Sequence, residues 1–102
     1  MLTEKAIERL FVRKVQERGG LSYKFVSPGN IGVPDRIVIT PSGEVLFVEL
    51  KTETGRLSPV QEHQLERLRR QNCNAIVLYG KEEVEKAVTA IFGGAEKGGD
   101  IR

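Results

Sequence analysis

The chain has one cysteine, one histidine, one methionine and no tryptophan among its 102 residues. A lone Cys73 cannot close an internal disulfide, and neither it nor the single His63 has a partner at zinc-ligand spacing. No apolar run approaches the roughly 20 residues that a bilayer-spanning helix needs. No signal-peptide pattern is present, so the cytosol is the expected compartment. No glycine-rich nucleotide fingerprint follows an apolar run, which argues against a nucleotide-dependent enzyme of small molecules. A large excess of one charge is missing too: 16 Lys and Arg against 14 Asp and Glu leave a formal +2. A polyanionic partner would therefore have to be recognised by how the basic residues are distributed. There are no internal repeats.

What is present is the composition of one globular domain, 39% apolar and 29% charged. The informative stretch is Gly32–Lys51, GVPDRIVITPSGEVLFVELK. Residues 35–40 and 45–50 are rich in β-branched and aromatic side chains, and the turn chemistry of Pro41-Ser42-Gly43 joins them into a hairpin. Alternation along a strand puts Glu49 and Lys51 on one face. A hairpin turning over Pro41–Glu44 brings Asp35 opposite residues 49–51, the exact partner depending on register. Singly, Asp35 would simply open a strand after Pro34, and Glu49 and Lys51 would be solvated rungs. Together they are two carboxylates that repel unless a cation lies between them, with an ammonium alongside. Such oxygen donors suit Mg²⁺ or Mn²⁺, and the lysine suits charge building on a phosphate.

The rest of the chain supplies a frame. Residues 3–18 read as a helix with Thr3 as N-cap, an apolar stripe through Ile7, Leu10, Phe11 and Val15, and Gly19-Gly20 as its stop. Glu8 lies beside that stripe, and Glu4 nearer its middle at the frayed end. Leu21–Val26 alternates like a half-buried strand with Leu21, Tyr23 and Phe25 on one face. The glycine- and proline-punctuated loop 27–34 leads to Asp35, with Lys24, Asn30 and Arg36 as phosphate contacts around it. Ser58-Pro59-Val60-Gln61 is a helix start with the residues of a capping box. Gln61, Leu65, Leu68 and Asn72 form its inward stripe, while Arg67, Arg69 and Arg70 make its outer side basic, an electrostatic footprint for phosphates. His63 is off the stripe, a solvated residue or a DNA contact. Ala75–Tyr79 reads as a strand buried on both faces and parallel to Val45–Leu50, and Lys81–Phe92 as a last amphipathic helix. Residues 93–102 are glycine-rich and charged, the composition of a flexible tail after a domain at 1–92. The expected fold is α/β: an α-β-β-β-α-β core with a mixed central sheet flanked by helices.

The string GVPDRIV, VLFVELK and GRLSPVQ, with PD followed after thirteen residues by E-x-K, resembles the VRR-NUC (virus-type replication-repair nuclease) branch of the PD-(D/E)XK nuclease superfamily. The resemblance implies a restriction-endonuclease-like core and a metal-dependent DNA endonuclease. It implies Asp35, Glu49 and the main-chain carbonyl of Leu50 as ligands of Mg²⁺ or Mn²⁺, with Glu8 completing the shell and Glu4 held in reserve. Lys51 would orient the attacking water, and Gln61 would join the active-site set. Small stand-alone members imply a homodimer acting on branched DNA such as four-way junctions, in phage or bacterial replication and repair. That would place it in the cytoplasm of a bacterial host cell. The competing reading is a non-catalytic DNA-binding or nuclease-accessory module with the same fold.

Overall fold

The computed structural model describes residues 1–93, so the tail expected at 93–102 lies, from residue 94 on, outside the described residues. Elements follow in the order α1 (Glu4–Glu17), β1 (Leu21–Lys24), β2 (Arg36–Ile39), β3 (Val45–Lys51), α2 (Pro59–Arg70), β4 (Asn74–Tyr79) and α3 (Gly80–Phe92). The strands form one sheet in the order β1-β2-β3-β4, antiparallel except for the parallel β3–β4 pair that α2 connects. It is the mixed sheet flanked by helices that the sequence pattern implies.

Local chemistry starts and stops each element. The Thr3 side chain accepts the Ala6 N–H at 3.1 Å, and Ser58 and Gln61 form a full reciprocal capping box at the head of α2. Between β2 and β3, the Thr40 hydroxyl accepts the Glu44 N–H at 3.0 Å, and Gly43 takes a left-handed φ of 90°. That tight turn fixes the hairpin register as Arg36 opposite Val48 through Ile39 opposite Val45.

The two faces of the sheet carry different cargo. Val38, Leu46, Val48, Leu50 and Leu78 face α1 and α3, where they meet Ile7, Phe11, Val15, Val84 and Val88 in the main core. Phe47, Glu49 and Lys51 alternate with them on β3 and so face the other way, toward α2. A carboxylate is thereby delivered to the less apolar face of the most buried strand.

Three expectations need correction. Leu21 and Tyr23 do share a face, but they are 48% and 55% exposed, because β1 is an edge strand that no helix covers on that side. β4 is the opposite edge, so only Ala75 and Leu78 are buried while Ile76, Val77 and Tyr79 are half-buried. The inward stripe of α2 stops before Asn72: the helix ends at Arg70, and Asn72 is exposed with a left-handed φ of 64°.

Candidate active site

Continuing the hairpin register by one residue sets Asp35 directly opposite Glu49, within the range that sequence patterning left open. Asp35 stands just past the end of β2, where Leu50 has no strand partner on that side. Its Oδ2 accepts the Leu50 N–H at 2.9 Å and so replaces the missing ladder bond. In a strand the N–H and C=O of one residue point the same way. The Leu50 carbonyl therefore also faces the Asp35 side.

Glu49 is only 2% exposed. Gln61 Nε2 donates to its Oε2 at 3.1 Å, and Lys51 Nζ lies 3.7 Å from the same oxygen. Burial, then the nearby Asp35 charge, push its carboxyl up to about 7, against the partial offset of Lys51 and with Glu4 adding to the rise. A buried carboxylate facing a second one carries more negative charge than its single lysine balances.

Gln61 serves two partners at once. Its Oε1 accepts the Ser58 N–H at 2.9 Å within the capping box, which leaves Nε2 aimed at Glu49. The helix cap thus orients the amide at the site, a role for Ser58 that the sequence signals only as capping.

Helix α1 presents a different glutamate from the one its sequence spacing favoured. The Glu8 carboxylate is held by Arg36 at 2.9 Å, with Lys24 at 3.9 Å. Glu4 Oε2 lies 4.0 Å from Lys51 Nζ. One helical turn, about 5.4 Å, separates the two carboxylates along the axis, and only the N-terminal end of α1 reaches the end of β3. Of the two, it is Glu4, the reserve, that stands beside Lys51, whereas Glu8, the expected completing carboxylate, is paired with Arg36 and Lys24.

The expected DNA contacts divide between two clefts. Lys24 and Arg36 lie on the α1 side, in a cleft of about 560 Å³ that Lys5, Arg9 and Arg13 also line. Those three basic residues were not singled out in the sequence, although Lys5, Arg9 and Arg13 recur at four-residue spacing. Arg36 is not free for phosphate: its side chain is 13% exposed, Nε and Nη2 bond Ser22 at 3.1 Å, and Nη1 bonds Glu8. Asn30, Arg67 and Arg70 line a cleft of about 400 Å³ on the α2 side. Arg69, also on the basic side of α2, instead bonds the Ala75 carbonyl at 2.9 Å.

Among the described residues, no group of three or more His, Cys, Asp or Glu is clustered so as to hold a metal ion. The Asp35–Glu49 pair nonetheless fits a hard divalent cation, because both donors are carboxylate oxygens and their mutual repulsion is what a cation relieves.

An α/β sheet whose hairpin end gathers two carboxylates, a lysine and a glutamine is the framework of a phosphodiester-cleaving domain. The VRR-NUC domain model matches residues 2–82, and the chain belongs to this nuclease family, whose substrate class is DNA. It is 42% identical over 78 residues to the "Putative nuclease p44" of Acyrthosiphon pisum secondary endosymbiont phage 1, covering 76% of this chain and 84% of that protein. A solved VRR-NUC domain superposes with a TM-score of 0.80 at 31% identity, covering 85% of this chain and 96% of the other. A second VRR-NUC domain protein, at 21% identity and a TM-score of 0.65 over 89% of this chain and 86% of its own, shares the fold.

Proposed function

We propose that this nuclease domain is a Mg²⁺- or Mn²⁺-dependent deoxyribonuclease that hydrolyses phosphodiester bonds in branched DNA and works as a homodimer. The observation that carries the metal dependence is Glu49, buried to 2% exposure, opposite a second carboxylate, with its carboxyl raised to about 7. Asp35, Glu49 and the Leu50 carbonyl would hold the cation. When bound, it supplies positive charge for the scissile phosphate and makes a nucleophilic water available near neutral pH.

The chain's own residues do the rest. Lys51 Nζ, fixed between Glu49 at 3.7 Å and Glu4 at 4.0 Å, orients the attacking water and balances charge that grows on the phosphate oxygens. Water adds to phosphorus, the bond to one bridging oxygen breaks, and that oxygen leaves with a proton. Gln61 keeps the Glu49 carboxylate aimed, and Glu4 helps hold the Lys51 ammonium in place.

Branched DNA and the dimer rest on the family likeness together with size. A chain of 102 residues has little surface of its own to embrace a junction, and two copies give two sites for two strands. The test is cleavage of flap, fork, four-way and linear DNA at fixed salt, with Mn²⁺ and with chelator, by wild type and Asp35→Ala. Metal-dependent cutting of branched substrates that Asp35→Ala abolishes is the expected result. Tight binding without cutting under any condition would return the domain to the accessory-module reading.

A further inference from the structure

On the α2 face of the sheet, Phe25 sits in the same cross-strand row as Asp35 and Glu49. Its N–H donates to the Asp35 carbonyl at 2.9 Å, which continues the β1–β2 register by one step. Neighbouring strands are about 5 Å apart, so the Phe25 backbone is one strand spacing from that of Asp35, and both side chains leave the sheet on the same face. Phe25 also forms the floor of the 400 Å³ cleft between α2 and loop 27–33, together with Val33 and Leu68.

The walls of that cleft have a consistent chemistry. Asn30, Gln64 and Gln71 contribute amides, which can donate to and accept from a base edge. Asn30 Nδ2 bonds Ser27 Oγ at 2.9 Å and Gln64 Nε2 bonds the Ile31 carbonyl at 3.1 Å, so both amides are held in place with their carbonyl oxygens left over. Arg67 and Arg70 stand exposed at the mouth, and among the described residues no carboxylate lines the cleft, although Glu66 pairs with Arg70 at 3.3 Å outside it. An aromatic floor, amide walls and cationic mouth complement a nucleobase with its phosphate.

We infer that this cleft receives one unpaired nucleotide next to the scissile phosphate, its base packed on Phe25 and its phosphate held by Arg67 and Arg70. The proposal rests on the nuclease reading and deepens it: the domain selects DNA in which a base beside the cut is free to leave the stack. Branch points and gaps meet that condition, and an intact duplex does not.

Binding tests it apart from cleavage. Fluorescence anisotropy without divalent cation would compare matched duplex, the same duplex with a two-nucleotide gap in one strand, and that gapped duplex with abasic sites opposite the gap. Wild type should prefer the gapped duplex to the matched one by on the order of ten-fold, and the abasic sites should erase the preference. Phe25→Leu keeps an apolar side chain against Phe47, whose ring centroid lies 5.6 Å away, and should lose the preference with matched-duplex affinity unchanged. Gln71→Glu, on an exposed residue, places a carboxylate in the mouth and should do the same without touching the core. Equal binding of base-containing and abasic gaps would overturn the proposal. So would a loss in both variants that is the same for duplex and gapped DNA. Failure to cleave any substrate would sink the nuclease reading while leaving this preference measurable.

Discussion

Glu49 is a carboxylate with almost no water and a second carboxylate opposite it, so the folded chain holds its proton more tightly than the unfolded chain does. With the folded value near 7 against an ordinary 4.5, its favourable share of stability is complete below about pH 4.5 and is lost as pH climbs through 7. In chelator at pH 8, Glu49→Gln should therefore be more stable than wild type, by up to about 3 kcal/mol, and the gain should vanish near pH 4.5. Urea melts at the two pH values check this; a constant difference would mean that Glu49 does not titrate as its burial requires. Mn²⁺ should reverse the order at pH 8, since the ion stabilises only a chain with both carboxylates. Lys51, with its side chain 12% exposed, belongs to the same charge cluster. Lys51→Ala should lose about 10²-fold or more in single-turnover cleavage at saturating Mn²⁺ and DNA. Its melting temperature near pH 6 should barely move, because Glu49, with its value near 7, already carries its proton for the most part at that pH and leaves little unpaired charge. Lys51→Arg should not restore the rate, since a planar guanidinium cannot place one water as a compact ammonium does.

At the scale of elements, α1 and the loop before β2 set the site's geometry. Two glutamates one turn apart on α1 have different partners, Lys51 for Glu4 and Arg36 for Glu8. Glu4→Gln should lower the cleavage rate with little change in melting temperature, as its side chain is more than half exposed. Glu8→Gln should do the reverse, because it leaves the largely buried Arg36 without its anion. Rate and melting temperature measured on both variants decide it, and a larger rate loss in Glu8→Gln would restore the glutamate that spacing alone favours. Gly32 couples loop 27–34 to α2. Its φ is +88°, and a Cβ there would lie 2.8 Å from the Val60 carbonyl carbon, a backbone atom that cannot turn aside. Gly32→Ala should destabilise by more than about 1 kcal/mol. It should also slow cleavage, since it moves the first turn of α2 and with it Gln61; an unchanged rate would uncouple the loop from the site.

For the whole molecule, the question is whether one copy suffices. Light scattering at micromolar concentration should give about twice the 11.4 kDa chain mass. A monomer that still resolves four-way junctions would remove the case for paired sites. Around the site, Val26, Ile31 and Val60 are 69%, 79% and 46% exposed, apolar surface that a dimer or DNA would cover.

Much of this was legible in the chain because it is local. Strand alternation puts Glu49 and Lys51 on one face, and the Thr40–Glu44 turn fixes the hairpin register, so Asp35 had to meet residues 49–51. Ser58 and Gln61 are three residues apart, and their capping box needs only the first turn of a helix. Other features depend on how elements pack. Both α1 glutamates border the apolar stripe, and only the docking of α1 beside the end of β3 decides that Glu4 reaches Lys51 while Glu8 reaches Arg36. The alternating face of β1 stays open because the sheet order makes it an edge, a fact absent from its own residues. Likewise, Phe25 reads as core by composition. Its place in that cleft arises because β1, loop 27–33 and α2 converge there, and a lining shared by residues 25 and 68 leaves no trace in the pattern of either segment.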